Sequence, residues 1–339
     1  MHFTRRDMLI ATAPVLAVGL ARTKPSVGHA VLSGDIIEAQ GDSLTFGWGS
    51  HGNRPGQGPY PMQLQRLLSA HYGHEIKVNN RGVGGIGART CAALSNGQPM
   101  HFTVADGILP TSGSVELTSF DANPITDQNP APIKGTYAGV RGVLSVFRTK
   151  PKFDQNSMIF TREQPGMPLP VTPMSAFYTD IGMTTRDHIK IMVYGRNGMR
   201  LDPILAAIDG DVSYQRCKRK CYLVGSVMTA VTEIGTDIQQ RIAAINSALS
   251  IRYQDNYVDL DSPPTYEEML SIGFIPDSYG PYSSGRTDQL DIAAGVLPSG
   301  MRMGGVSNNQ HLNNYGYALW AMRFCERIVS KGWFDGRYG

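Results

Sequence analysis

Four short stretches carry side chains suited to one kind of chemistry. In "GDSLTFG" (41–47), Ser43 follows a strand-like apolar run and precedes a tight turn. A serine at the carboxyl end of a central strand is well placed for nucleophilic attack, because ligands of open α/β sheets bind beyond those ends. "NRGVGG" (80–85) follows a second strand-like run, and its glycines allow the backbone to approach a ligand and aim N–H groups at it. "YGRNG" (194–198) follows a third run and supplies Asn197. "HLN" (311–313) supplies His311 just before an apolar helical pattern. Each stretch alone is weak evidence: a turn serine or a helix-capping histidine is an ordinary structural residue. Four such loops in chain order form a much stronger joint signal.

The segments around these loops must position them. "DIIEAQ" (35–40), "IKVNN" (76–80), "HIKIMVYG" (188–195), "CYLVGSVM" (221–228) and "NYVDL" (256–260) read as five short, mostly buried strands. Helical periodicity marks "PMQLQRLLSAHY" (61–72), where Met62, Leu64, Leu67 and Leu68 recur, and the tail from Asn314 to Val329. The clearest helix is 236–253, with a Thr236/Gln239 capping-box pattern and Ile238, Ile242, Ile245 and Leu249 on one face. Strands alternating with helices predict a parallel sheet covered on both sides.

One region breaks this rhythm. Residues 99–173 hold ten of the 21 prolines and no helical period, but contain the strand-like pieces "SVELTSF", "GVLSVFR" and "SMIFTR". Seventy-odd residues are too many for a simple loop. The pattern predicts a β-rich insertion over 99–180, with chain entry and exit close together.

Composition limits the alternatives. The 339 residues allow one large domain or two smaller ones, and 41% hydrophobic with 17% charged residues supports a sizeable core. A net charge of +3 gives no case for nucleic acid. At the N-terminus, Arg5 and Arg6 precede a short apolar stretch, Met8 to Ala21, too short to span a bilayer. This reads as a Tat-type signal within residues 1–30, with Ala21 or Ala30 at the cleavage point, and implies a periplasmic or secreted protein. No integral membrane segment is expected after it. Cys217 and Cys221 could form a local disulfide, but no second Cys or His pair stands at zinc-ligand spacing, so no metal or cofactor is expected.

On these residues the chain resembles the SGNH, or GDSL-type, serine hydrolase superfamily. The four motif letters are met by Ser43 in "GDSL", a glycine in "NRGVGG", Asn197 in "GRN" and His311 in "QHLN". The resemblance covers about 35–98 and 180–330. It extends to a bacterial subgroup with a β-rich insertion, through "MHFTVADGILPTSGSVELT", "IKGTYAGVRGVLSV" and "YTDIGMTTRDHIKIMVYGRNG". It implies a three-layer α/β/α, flavodoxin-like fold with a parallel five-stranded sheet. The hydrolase domain would comprise 31–98 and 181–339. It also implies roles. Ser43 Oγ attacks an acyl carbon. The Ser43 N–H, the Gly85 N–H (or that of Gly84) and the Asn197 side chain form the oxyanion hole. His311 carries the proton.

One position departs from the family pattern. Where an aspartate usually precedes the histidine by three residues, this chain has Asn308. A neutral amide can hold an imidazole but cannot stabilise imidazolium by charge. In serine proteases that exchange costs about 10⁴-fold in rate, roughly 5 kcal/mol. Three arrangements stay open: a backbone carbonyl near 306–309 completing a Ser-His dyad, a carboxylate from Asp288 or Asp291, or weak or absent turnover. The leading expectation is an exported esterase acting on a small-molecule or polysaccharide ester, with an acetyl or acyl carbohydrate ester first. A glycan-binding module and an O-acyltransferase are the alternatives. Tyr266, Tyr279 and Tyr282, in the segment leading to His311, are candidate sugar-stacking groups.

Overall fold

The computed structural model describes residues 36–126, 131–146, 158–216, 221–277, 286–303 and 310–335. The segment read as a signal, Cys217, Tyr279, Tyr282 and Asn308 lie outside these residues.

The first unit is a five-stranded, all-parallel sheet. It is built from β1 (Ile36–Gly41), β2 (Lys77–Gly82), β11 (Ile189–Val193), β12 (Tyr222–Gly225) and β13 (Tyr257–Val258). Their spatial order is β13-β12-β11-β1-β2. The order reverses next to β1, and ligands of doubly wound sheets bind at such a switch point. β1 alternates in character: Ile37 and Ala39 are apolar, Glu38 and Gln40 polar, and all four are buried. Strand side chains alternate between faces, so one face of β1 is apolar and the other polar.

Helices cover both faces of this sheet. On the apolar face of β1, α2 (Tyr60–Tyr72) packs against α9 (Asn314–Lys331), with Leu64, Leu68, Trp320 and Phe324 in one buried cluster. On the other face lie α3 (Ala88–Leu94), α5 (Leu201–Tyr214) and α6 (Asp237–Tyr253), which contribute Ala92, Ile208, Ile245 and Leu249 to a second cluster. The predicted helix at 236–253 starts as its sequence implies, with Thr236 accepting from the Ile238 N–H. Gln239, however, accepts from the Gly235 N–H, one residue before the position a capping box would use. α3 and α5 were not evident from periodicity. In α5 the buried positions are Ile204, Ala207, Ile208 and Asp211, so a carboxylate occupies part of the buried stripe. Asp211 accepts from Tyr194 OH at 2.6 Å and from the Ser95 hydroxyl.

The second unit is a closed antiparallel barrel, inserted between α3 and α4 (Asp180–Thr184). Its strands are β3 (Met100–Val104), β5 (Ser114–Phe120), β6 (Ile133–Tyr137), β7 (Val140–Val146), β8 (Met158–Arg162) and β10 (Ser175–Thr179). A short ribbon of β4 (Ile108–Leu109) and β9 (Leu169–Pro170) lies beside it. The first and last barrel strands, β3 and β10, pair with each other, so chain entry and exit are adjacent. Asn96 closes the neck: its side chain donates to Thr179 O at 2.9 Å and accepts from the Thr179 N–H at 2.8 Å. Inside, Phe102, Tyr137, Phe160 and Phe177 form a buried aromatic cluster. The remaining short helices are α7 (Tyr266–Ile272) and α8 (Asp288–Ala293).

Candidate active site

The strand β1 ends at Gly41, and the chain turns at once into a four-residue helix, α1 (Ser43–Phe46). Asp42 caps it, accepting from the Leu44 N–H at 3.0 Å. The carbonyls of Asp42 and Ser43 accept from the N–H groups of Phe46 and Gly47, at 2.9 and 3.0 Å. As the first helical residue, Ser43 keeps an N–H with no acceptor inside the helix. Two glycines allow α1 to sit this low on the sheet. A Cβ on Gly82 would lie 2.0 Å from the Phe46 nitrogen, and one on Gly41 would lie 2.1 Å from Thr45 Oγ1.

His311 reaches Ser43 from the far end of the chain. Its Nε2 lies 2.8 Å from Ser43 Oγ. The loop carrying it is tied to 300–303: Met303 N donates to His311 O at 2.9 Å, and Asn313 N to Met301 O at 3.0 Å. Asn313 Nδ2 donates to Gly300 O at 2.7 Å, while its Oδ1 caps α9 through Tyr315 N at 2.9 Å. Burial, and then the Arg196 guanidinium, hold the His311 pKa below its ordinary value. Both effects favour the neutral imidazole, the form able to accept a proton.

Asp288 and Asp291 do not supply the missing carboxylate as free groups. Both are fully buried and hold the Ser299–Gly300 turn. Asp288 accepts from Gly300 N at 2.6 Å and Asp277 N at 2.8 Å. Asp291 accepts from Ser299 N and Oγ, at 2.8 and 2.5 Å, and from Arg286 Nε at 2.6 Å. They act one layer behind His311, on the backbone that positions it.

The loop after β11 brings Asn197 to the same strand ends. Asn197 Nδ2 donates to Ile86 O at 3.0 Å and reaches Asp42 Oδ2 at 3.5 Å. That second contact is long, and a stronger acceptor could displace it. The glycine loop after β2 resolves into two unlike residues. Gly84 is buried, whereas Gly85 is exposed with φ +79°. Thus Ser43 and His311 are brought into hydrogen-bonding contact, and Asn197 touches both the residue before Ser43 and the glycine loop.

Three further residues belong to this site and stand inside or beside the motifs. Asp42 is fully buried, and burial pushes its carboxyl up to about 6, against the Leu44 N–H and the Arg196 charge. Arg196 pairs with Glu233 at 2.7 Å, and both are almost fully buried. A charged pair out of water carries a desolvation cost, which its other bonds must offset; Glu233 also accepts from Ala230 N at 2.8 Å. Trp48 lies with its ring 6.2 Å from that of His311. Trp48 and Phe46, five and three residues after the serine, are 38% and 48% exposed. Residue type alone did not single out these three; burial and proximity did.

Elsewhere, the other candidates play lesser parts. Tyr266 is exposed on α7, a helix that packs on α9. His51 is exposed and donates its backbone N–H to Asn314. Among the described residues no group of three or more His, Cys, Asp or Glu could hold a metal ion. Among them, too, no helix is long and apolar enough to cross a membrane.

No family model matches the chain, and no curated protein is similar to it. Among solved structures, the lipase Lip_vut3 from a goat rumen metagenome is 10% identical, with a TM-score of 0.43, over 88% of this chain and 98% of that one. A mutant of the esterase AlinE4 is 14% identical, with a TM-score of 0.33, over 68% and 77%. Likeness at this level leaves a functional assignment resting on the site itself.

Proposed function

We propose that the protein is a serine esterase of the SGNH type, working through Ser43 and His311. The observation carrying this reading is the 2.8 Å contact between Ser43 Oγ and His311 Nε2 at the carboxyl end of a central parallel strand. Nucleophile and base within this distance are the working geometry of acyl transfer. Ser43 Oγ attacks the ester carbonyl while its proton passes to His311 Nε2. The oxyanion takes the Ser43 N–H, the Gly85 N–H and one Asn197 Nδ2 hydrogen. His311 then protonates the leaving alcohol, and the acyl-enzyme forms. A water that gives its proton to His311 releases the acid and restores the serine.

In this mechanism the base is a dyad histidine whose lowered pKa keeps it neutral and ready to accept a proton near pH 7. Asn308 then needs to supply no charge. The aromatic rim of Phe46 and Trp48 suits an ester carrying an acyl chain or a sugar ring, and an acetylated or acylated carbohydrate in the periplasm or outside the cell is the substrate we favour. Tat export of the folded chain belongs to the same reading.

The test is release of nitrophenol from short-chain nitrophenyl esters, with Ser43→Ala as the control. Absence of Ser43-dependent release across chain lengths and pH would remove the esterase reading. Glycan binding that survives both Ser43→Ala and His311→Ala would then favour a binding module. Product analysis with an acceptor sugar present separates hydrolysis from acyl transfer.

A further inference from the structure

The inserted barrel touches the loop from which Gly85 donates. After β5 the chain runs through a strap, residues 121–126, that is anchored in the barrel core by Ala122 and Ile125. Asp121 pairs with Arg89 of α3 at 2.7 Å and accepts from His101 N at 2.8 Å. Asn123 Oδ1 accepts from Ile125 N at 3.0 Å, which closes a tight turn. At the end of the strap, Thr126 Oγ1 donates to Gly84 O at 3.4 Å.

That acceptor belongs to the peptide unit whose other half is the Gly85 N–H. In a trans peptide the C=O and N–H point in opposite directions, and no cis bond is present among the described residues. A donor on Gly84 O, even over this long contact, therefore biases where the Gly85 N–H points. The neighbouring groups are also held: Val83 N donates to Gly41 O at 3.0 Å, and Ile86 O accepts from Asn197. Between these two ties lies a Gly-Gly peptide with no Cβ on either side to limit its rotation. Gly85 has φ +79°, and a Cβ built on it meets no atom within 4 Å, so packing does not hold the Gly85 side of this peptide.

We infer that Thr126 is a positioning residue for catalysis, and that one function of the barrel is to orient the Gly84–Gly85 peptide for the oxyanion. The inference rests on the esterase reading. It assigns Gly85 rather than Gly84 as the donor, because the Gly84 carbonyl is turned toward the barrel and Gly85 lies on the open side. It also gives the insertion a role in turnover that does not require the barrel to bind substrate.

Three variants separate the hydroxyl from its bulk: Thr126→Val, Thr126→Ala and Thr126→Ser. The readouts are kcat and KM on a nitrophenyl ester, the rate at which a fluorophosphonate probe labels Ser43, and the melting temperature. The expected result is that Val and Ala both lower kcat by about tenfold or more, while KM stays within about twofold and probe labelling slows in parallel. Thr126→Ser should recover most of both rates, and all three should melt within a few degrees of the parent. If Val matches the parent and only Ala is impaired, the residue packs rather than positions, and the inference is overturned. It is equally overturned if Ser is as impaired as Val, or if only KM changes. A parent protein with neither Ser43-dependent hydrolysis nor Ser43 labelling removes the esterase reading and this inference together. Hydrolysis that is indifferent to Thr126 removes the inference alone.

Discussion

Gly82→Ala adds one methyl group at a tight packing point beneath α1, the helix that carries Ser43. Its Cβ would sit 2.0 Å from the Phe46 nitrogen and 2.5 Å from the Thr45 carbonyl carbon. Ordinary contact begins near 3.4 Å, so α1 or the end of β2 must yield by about 1.4 Å (the difference from 2.0 Å). Both obstacles are backbone, and neither can rotate away. Overpacking of this kind costs about 1–3 kcal/mol of stability. The larger effect falls on catalysis. Ser43 is the first residue of α1, and its 2.8 Å contact with His311 spans two elements that would no longer be in register. A misplacement of ~1 Å costs on the order of 10²-fold in rate. Nitrophenyl ester hydrolysis and thermal melting measure the two effects separately. Gly73→Ala is the control: it too adds a methyl group to a glycine, but φ is +74° and the Cβ would meet open space. It should cost about 1 kcal/mol through backbone strain and leave kcat/KM unchanged. If Gly82→Ala folds and keeps kcat/KM within about threefold of the parent, the claim that this glycine seats the nucleophile is wrong.

The pH profile tests the electrostatics. Because the His311 pKa is lowered, kcat/KM should stay flat below the ordinary imidazole value of about 6.5 and fall only at lower pH. Removing the nearby charge with Arg196→Met/Glu233→Gln, which also takes the charge from its partner, should move the acid limb upward; an unmoved limb refutes the link. Glu38 is buried, which alone would raise its pKa, but bonds from His188, Arg81 and Asn79 bring it down to about 2 from 4.5. Its ionised form therefore stabilises the fold by about 3 kcal/mol near neutral pH. That contribution is present above pH 4.5 and lost as pH falls toward 2. Chemical denaturation should accordingly show Glu38→Gln destabilised at pH 7 and close to the parent near pH 2.5, and a deficit independent of pH contradicts the linkage. Asn197→Ala should lower kcat by about 10²–10³-fold with little change in KM, measured on the same ester; a rise in KM alone would place Asn197 in ground-state binding. Asn308→Asp should leave kcat within a few-fold if the dyad suffices, whereas a gain near 10⁴-fold would show that a charge had been missing.

Much of the frame could be read from residue order, for identifiable reasons. β11, β12 and β13 are short apolar runs, while β1 and β2 carry fewer apolar residues but run into Gly41 and Gly82. α2, α6 and α9 bury periodic stripes and carry their own start or stop signals, such as Thr236 and Gly73. α5 was not legible because Gly210 and Asp211 interrupt its stripe. Both have tertiary reasons. A Cβ on Gly210 would lie 2.5 Å from Gly97 O, and Asp211 bonds Ser95 and Tyr194 across the core. Two of these neighbours, Gly97 and Ser95, lie more than 100 residues away in sequence, which local patterns do not encode. The same limit applies at the site. Ser43, Asn197 and His311 stood out because their types suit chemistry. Arg196 and Asp42 did not, because their importance comes from burial and from each other's charge. Thr126 offered no signal at all, since its partner is a backbone carbonyl.

The polar face of β1 joins these observations into one physical argument. Glu38 and Gln40 occupy alternating positions of a central strand, where aliphatic side chains would bury more cheaply, and Asp42 follows directly after the strand end. Each has partners that offset its desolvation. Glu38 has His188, Arg81 and Asn79; Gln40 has Tyr194; Asp42 has Leu44 N and Asn197. Stability alone does not favour such a seam, because an apolar strand of similar volume would do as well or better. What the seam provides is fixed direction at its upper end. Tyr194 ties β11 to β1 through Gln40, while Asn197, three residues later, ties the following loop to Asp42 and to Ile86. The three loops that meet at Ser43 are therefore bonded to one another through directional polar contacts. A purely apolar core would resist sliding less, because its contacts are less specific in angle. On this reasoning Gln40→Leu should preserve or raise the melting temperature and still lower kcat, since it leaves Tyr194 bonded to Asp211 and the β1–β11 backbone ladder intact but removes the side-chain tie at the upper end of β11. If it lowers both in proportion, the seam is ordinary structural packing; if it lowers neither, the alignment of Ser43 with Asn197 does not depend on it.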